Sequence, residues 1–343
     1  MRNFRVMAVL VASGMLAAAC GGGDDTADAS AEGLSLPQVR LAIDGDDYMN
    51  QLAWMIADEQ YWPDLGFTEP AEVVASSEYI AGLIGGDVWV AQGESDVIWS
   101  ALAEGSVPMT IIGVEKGQEA WFLGIRKGVD KDNLEGLKIS GGGVGDRNVT
   151  VAERILEEMG VNPDDMEFVQ VQGGSDERLQ ALVAGQIDVA TLQPRHLIPL
   201  ADSGGEMIFQ EYKEVPQEVW VVKSETMDEN RDSVCAFLEG RVAAKQWAGE
   251  GTDHVDNQDA AVAISEARGL EPSEGDLDEW GAEVEHNWSM DGGSSLAAFD
   301  QWNKDMIANG NVPEGFDWQE HADFSCLTEA QENLGLDANP GNL

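Results

Sequence analysis

Two distant stretches of the chain read alike, and together they limit what it can fold into. Gly82-Leu-Ile-Gly-Gly-Asp-Val-Trp-Val-Ala-Gln92 aligns with Ala181-Leu-Val-Ala-Gly-Gln-Ile-Asp-Val-Ala-Thr191. In each, an apolar helix end meets a glycine, Gly86 or Gly185, where the backbone must turn. A strand of the form hydrophobic-x-Val-Ala follows, and then a polar loop, residues 92–95 or 192–195. A chance match of two ordinary helix–turn–strand units is the plain alternative. Two α/β lobes built on the same unit is the reading that orders the rest of the chain.

Around these copies, strands and helices alternate. Residues 39–43 form a strand, 44–48 a loop, and 50–62 a helix with Leu52, Met55, Ile56 and Glu59 at helical spacing. Residues 71–75 form a second strand, Ser76 or Ser77 caps a helix, 86–92 form a third strand, 95–104 a helix and 109–114 a strand. Such alternation predicts an α/β sheet with parallel strands. The apolar runs 120–126 and 218–223 are placed to carry the chain from one lobe to the other. From Met227 onward the periodicity is helical only. Val234, Phe237, Leu238, Val242 and Trp247 trace one stripe, and 259–268, 274–286 and 294–309 follow as helices expected to pack around the first lobe.

Residues 138–159 read as a strand end, a glycine-rich loop and a helix with Val151, Ile155 and Met159 on one face. Asn148 is one candidate N-cap. Thr150, with Glu153 three residues on, is the other. A helix N-terminus at a flexible loop suits an anion, although a bare connecting turn fits equally well. The glycines at 141, 143 and 145 do not complete G-x-G-x-x-G, because Asn148 holds the third place, and no Gly-Lys-Ser/Thr follows.

The start of the chain reads as an address. Arg2 and Arg5 precede an apolar run too short to span a bilayer, which ends in Leu16-Ala-Ala-Ala-Cys20. This resembles a bacterial lipobox, with residues 1–20 as the signal peptide and Cys20 as the lipidated residue. Ordinary secretion is the alternative. Residues 21–36 have little to bury and read as a flexible tether. If Cys20 carries lipid, Cys235 and Cys326 remain as a pair in an oxidising compartment and are expected to form a disulfide. The formal net charge of −45 excludes nucleic acid as a partner and reads as a solvation strategy.

Four blocks in this order resemble the solute-binding proteins of bacterial ABC importers, in the group serving sulfonates, taurine, nitrate and thiamine-pyrimidine precursors. They are Leu83-Ile-Gly-Gly-Asp-Val-Trp-Val-Ala, Asn133-Leu-Glu-Gly-Leu-Lys-Ile-Ser140, Met159-Gly-Val-Asn-Pro-Asp-Asp-Met-Glu-Phe-Val-Gln-Val171, and Leu182-Val-Ala-Gly-Gln-Ile-Asp-Val-Ala190. Trp89 departs from the usual acidic residue of the first block, and residues 92–95 are longer and more polar than the usual turn. The resemblance implies a two-lobed periplasmic-binding-protein fold, type II-like, with two crossover strands and a helical C-terminal segment. It places lobe 1 in residues 37–123 and 221–343 and lobe 2 in 124–220. It implies a monomeric, extracytoplasmic, lipid-anchored receptor that holds a small anionic or zwitterionic solute in the interlobe cleft and docks on an ABC permease in the cytoplasmic membrane. It calls for no cofactor, no metal and no catalysis. A receptor of another transport or sensing system is the alternative, as is a thiamine-pyrimidine-synthesis-like enzyme on the same fold.

Ligands in open α/β sheets bind outside the carboxyl ends of the strands. The expected contacts are therefore Asp46, Asp47 and Tyr48 after the first strand, and Ser77. Gln92, Gly93, Glu94 and Ser95 follow the third. From the second lobe come Ser140, Gly142, Gly143, Arg147, Asn148, Gln193 and Arg195. For several a blander role competes: Ser95 as a helix cap, Arg147 and Arg195 as exposed charges, Trp121 and Trp220 as core or hinge packing. The four histidines form no metal-ligand spacing, and no G-x-S-x-G elbow occurs.

Overall fold

The computed structural model describes residues 37–340 apart from 45–47, 77, 106–107, 144–146 and 173. Eight strands form one curled sheet: β1 Arg40–Ile43, β2 Glu72–Ala75, β3 Val90–Glu94, β4 Met109–Ile125, β5 Lys138–Ser140, β6 Glu167–Phe168, β7 Val189–Leu192 and β8 Glu206–Lys223. Their order is β2-β1-β3-β8-β4-β7-β5-β6. The helices are α1 Tyr48–Gln60, α2 Tyr79–Gly85, α3 Ser95–Glu104, α4 Arg147–Glu158, α5 Ser175–Val183, α6 Leu197–Asp202, α7 Ser224–Glu229, α8 Arg231–Ala248, α9 Gln258–Ala267, α10 Glu274–Ala282, α11 Leu296–Ala308 and α12 Ser325–Asn333. A π-helical turn, Glu283–Asn287, continues α10.

The repeated unit of the sequence reappears as a repeated topology. β3 lies between parallel β1 and antiparallel β8, and β7 lies between parallel β5 and antiparallel β4. The turns before them match bond for bond. The Asp87 N–H donates to the Gly82 carbonyl, and the Gln186 N–H donates to the Ala181 carbonyl. Both turns pass through a left-handed glycine, Gly86 at φ 83° and Gly185 at φ 72°, as helix C-termini of this kind require. Each half of the sheet has its own apolar core. The larger gathers Leu41, Trp99, Trp220 and Phe237, and the second half closes around Leu123, Ile139, Ile155 and Val189, with a satellite at Leu182 and Leu192.

β4 and β8 join the halves. Residues 109–114 and 120–126, expected as separate strands, are one seventeen-residue strand, and the run 218–223 is the end of an eighteen-residue one. The two pair antiparallel from Met109↔Lys223 to Ile125↔Glu206. In between, Lys116 faces Glu218 while Gln118 faces Glu214, so β8 carries two extra residues where β4 carries none. Pro216 lies in that bulge. It has no N–H to give to a ladder, and bulges bend strands. The crossover ladder shifts register at four places, between Ile111 and Gly113, Val114 and Lys116, Lys116 and Gln118, and Leu123 and Gly124, and the largest shift lies at its middle.

Two further expectations change. β3 runs to Glu94 and α3 begins at Ser95, so the anticipated loop 92–95 does not exist as a loop. Pairing with Val219 and Glu218 of β8 holds those residues extended. The C-terminal helices also do more than cover the first half. α11 packs on α3 through stacked Phe299 and Trp99, and its Asp305 reaches Arg154 of α4 in the second half, with oxygen–nitrogen distances of 2.6 and 2.8 Å. His286 of the π turn stacks on Tyr212 of β8. α12 was not anticipated from the sequence. Its Cys326 is disulfide-bonded to Cys235 of α8.

At the base of the crossover a fully buried carboxylate meets two fully buried cations. Glu115 Oε2 lies 2.7 Å from Arg241 Nη2 and 3.0 Å from Lys245 Nζ. Burial opposes ionisation of Glu115, yet the two cations outweigh it and hold the carboxyl below its ordinary range. Lys245 is the strained partner: burial, only partly offset by Glu115, lowers it to about 8. It also donates to the carbonyls of Glu115 (2.7 Å) and Ser289 (3.1 Å), and both cations lie over the Trp220 ring.

This charge balance orders the cost of substitutions. Glu115→Gln strands two buried cations and should destabilise by about 3–5 kcal/mol. Lys245→Met leaves a neutral Glu115–Arg241 pair and two unpaired carbonyls, costing roughly 1–3 kcal/mol. Guanidinium unfolding of both variants checks the order, and equal losses would refute it. Replacing Cys235 and Cys326 by Ala should cost a further roughly 2–4 kcal/mol, since the bond constrains a long loop of the unfolded chain.

Candidate functional site

Between the two halves lies a cavity of about 290 Å³ whose lining, apart from Ala120 and Gly174, is polar or charged. One wall is acidic. Glu94 ends β3, Glu119 and Glu218 belong to the crossover strands, and Glu283 comes from the π turn, with Asn287 beside it. The opposite wall belongs to the second half and is basic, with Arg178 and Arg195 beside Ser175 and Gln193. Lys116, Gln217 and Asn148 of α4 complete the lining. Glu94 and Gln193 sit at the carboxyl ends of β3 and β7, where open α/β sheets hold their ligands.

The basic wall is rigid for local reasons. The Gln193 N–H donates to His196 Nδ1 at 3.1 Å. That nitrogen must then be unprotonated, so Nε2 carries the hydrogen and donates to Asp176 at 2.7 Å. Burial, with help from the neighbouring arginines, keeps the imidazole neutral by lowering its pKa, against the pull of Asp176. Arg195 donates to Ser175 Oγ at 2.8 Å, and Arg178 donates to the Thr191 carbonyl at 2.9 Å. The loop after β7 and the start of α5 are therefore one unit. The Gly174 N–H, donating to Glu177 at 2.7 Å, starts that helix.

The acidic wall is crowded. Glu94 and Glu218 are direct partners across β3 and β8, and Lys116 faces Glu218 from β4, 2.8 Å away. Like charges opposite one another on a sheet repel. Glu218 is held by Lys116, Gln92 (3.0 Å) and Asn50 (3.4 Å). Glu94 is held only loosely, by Arg147 at 3.4 Å, with 36% of its side chain exposed. Burial and then the Glu218 charge push the Glu94 carboxyl up to about 8, with Arg147 pulling the other way.

Arg147 opens α4. Its Nη2 lies 2.8 Å from Glu119 Oε2, and its guanidinium covers the Trp302 ring at 4.6 Å. Glu119 is itself fixed by the Trp121 indole N–H at 2.9 Å. Behind this group lies a second cavity of about 310 Å³ between α4 and α11, lined by Trp121, Trp302, Arg147, Arg154 and Asp305 among others. Glu119 lines both cavities; Arg147 lines only the second.

The expected site residues thus divide. Glu94, Asn148, Gln193 and Arg195 line the first cavity. Arg147 stands behind it. Gln92 is buried beneath it, accepting from Arg241 at 3.2 Å and donating to Glu218. Gly93 lies under the Tyr79 ring, where a Cβ would collide, and Ser95 is buried at the start of α3. Tyr48 belongs to α1, not to a loop, and its hydroxyl meets Ser265 Oγ at 2.9 Å in the core. Ser140 is buried and accepts from the Gly142 N–H. Gly142 and Gly143 do not line the cavity either. The glycine-rich stretch has another reason: a Cβ at Gly141 would strike the Asn148 carbonyl, so the glycine lets α4 press against β5. Asn148 and Thr150 lie within α4, which begins at Arg147, so neither caps it. Of the tryptophans, Trp220 is core and Trp121 walls the second cavity. Asp46, Asp47, Ser77 and Cys20 lie outside the described residues. Lys116, Glu119, Arg178 and Glu218 also line the cavity and were not among the expected residues. The Gly-Ser-Asp-Glu run before Arg178 is a helix-start signal that could have revealed that residue.

Comparison with known proteins bears on the fold. Residues 126–251 match a family model described as NMT1/THI5 like. No curated protein matches the chain in sequence. Among solved structures, a periplasmic sulfonate-binding protein of a sulfonate ABC transporter from Methylobacillus flagellatus superposes with a TM-score of 0.67 at 14% identity, over 90% of this chain and 99% of that one. The periplasmic aliphatic sulphonate-binding protein of Escherichia coli gives 0.59 at 13% identity, over 83% and 91%. A Candida albicans protein with the generic periplasmic binding protein fold gives 0.56 at 14% identity, over 90% and 98%. At such identities the likeness concerns the fold: the chain is a two-lobed α/β protein with the architecture of the periplasmic binding proteins, and its central third resembles the NMT1/THI5-like family.

Proposed function

We propose that this protein is the extracytoplasmic substrate-binding component of an ABC importer, capturing a small, strongly polar solute in the cavity between its lobes. One observation carries the reading. The cavity is polar almost throughout, bridges both halves of the sheet, and opposes a carboxylate wall to a guanidinium wall. A zwitterion or small anion fits such a field, whereas an extended apolar ligand would leave most of these groups unpaired. The solute would contact Glu94, Asn148, Gln193 and Arg195, together with Lys116, Ser175, Arg178 and Glu218. The interrupted ladder of β4 and β8 supplies the hinge. A solute touching both walls favours the closed arrangement because only there does it make both sets of contacts.

In this reading residues 37–123 and 221–343 form one lobe, and 124–220 the other. A lipid on Cys20 and the tether 21–36 hold the body at the outer face of the cytoplasmic membrane, beside its permease. The solved structures of like fold that are named for ABC transport favour a receptor over an enzyme. Among the described residues no helix is long and apolar enough to cross a membrane.

A thermal-shift screen of the purified protein against sulfonates, nitrate, amino acids, polyamines and pyrimidines tests the reading. A cognate solute at a hundred times its dissociation constant should add about 2.7 kcal/mol. Arg178→Met should reduce that shift for a solute with an anionic group. A screen in which nothing raises the melting temperature of the wild type would remove the receptor reading.

A further inference from the structure

The Arg147 cluster carries an inference that rests on this receptor reading and deepens it. Arg147 is held unequally by its two carboxylates. Glu119 is close, at 2.8 Å, and is itself anchored by the Trp121 indole. With Trp302 beneath the guanidinium at 4.6 Å, this makes a fixed seat. Glu94 is distant, at 3.4 Å, about a third exposed, and repelled by its cross-strand partner Glu218. Glu94 and Glu119 line the cleft cavity while Arg147 does not. Moving the Glu94 side chain would therefore open the guanidinium to the cleft. Neighbouring Arg195, in contrast, already faces that cavity.

We propose that the ionised Glu94 carboxylate is a built-in stand-in for the solute's anionic group: while it carries its charge it occupies Arg147 in the solute-free protein, and an incoming anion, or a proton on Glu94 itself, releases the guanidinium. Arg147 and Glu94 together then set specificity. Only an anion that bonds Arg147 better than a strained, loosely held carboxylate gains entry, and neutral solutes cannot release it. A carboxylate poised to leave is also one poised to take up a proton. The groups facing Glu94 are Glu218 from β8, Lys116 and Glu119 from β4, Arg147 from α4, Asp96 from α3, and the Tyr79 hydroxyl from α2, which donates to the Glu94 carbonyl at 3.4 Å. The carboxyl, raised to about 8 by burial and by Glu218, is mostly ionised at pH 9 and mostly protonated at pH 7. Protonated Glu94 no longer competes for Arg147, so anion capture strengthens as pH falls through that range.

The test is calorimetric titration of the full chain with sodium sulfate at constant ionic strength, at pH 7 and pH 9. Sulfate keeps its charge across this range. Wild type should bind sulfate roughly tenfold tighter at pH 7 than at pH 9, following the protonated fraction of Glu94. Glu94→Gln should bind at pH 9 as tightly as wild type does at pH 7 and lose the pH dependence. Adding Arg147→Gln to that variant should remove the gain. Equal affinity of wild type and Glu94→Gln at pH 9 overturns the proposal, and so does a gain that survives without Arg147. The pH comparison on wild type needs no substitution, so a variant that fails to fold does not shelter the idea. A solute screen that finds no ligand, alongside a sulfate gain that needs Arg147, would sink the receptor reading and leave the anion seat standing. A cognate solute found without the sulfate gain would do the reverse.

Discussion

The buried contact of Glu115 with Arg241 and Lys245 is the interaction on which the other parts depend. It joins the first part of β4 to α8, and so ties a crossover strand to the C-terminal helices. Three charges without water are costly unless each finds partners. Trp220 offers its ring to both cations, and two backbone carbonyls take the lysine's hydrogens. The same Arg241 reaches Gln92, Gln92 reaches Glu218, and Glu218 meets Lys116 in the lining of the cleft cavity. A continuous polar path therefore runs from the deepest ion pair to the bulge of the crossover. It links the residues flanking the Pro216 bulge to the deepest ion pair of the first half.

The C-terminal helices complete this frame and also cross it. α8 and α12, joined by the disulfide, lie on the first half. α11 extends to the second half, where Arg154 meets Asp305 and Arg147 lies on Trp302. Contacts between halves include ionic and cation–π pairs and the stack of His286 on Tyr212, whereas each half also closes around its own apolar core. Surface ion pairs contribute about 0–1 kcal/mol each, and apolar cores contribute far more.

Much of the architecture was legible because it follows local rules. The twin helix–glycine–strand units, the alternation of strands and helices and the apolar stripe of α8 are all short-range patterns, and each corresponds to an element. The site was legible only in part. Glu94, Asn148, Gln193 and Arg195, expected from their places at a strand end, just after a strand or in the first turn of a helix, do line the cleft cavity. Gln92, Gly93 and Ser95 were misread as loop because the strand that extends β3 lies far along the chain, in β8. Tyr48 was misread because its hydroxyl partner, Ser265, is equally remote. The glycine-rich stretch looked like an anion cradle, but close approach of α4 to β5 explains its Gly141.

The sequence by itself determined the class of the fold, the doubled unit, the acidic surface and a pair of cysteines. Each is set by composition or by periods of two and 3.6 residues, which a single chain displays on its own. Tertiary structure alone decided which charges face one another. Glu94 opposite Glu218, Arg147 wedged between Glu119 and Trp302, and Glu115 between two cations join residues far apart in the chain. Whether such a carboxylate is a tight ion-pair partner or a displaceable, nearly neutral group depends on distance and solvent exclusion, and neither quantity exists until the chain has folded.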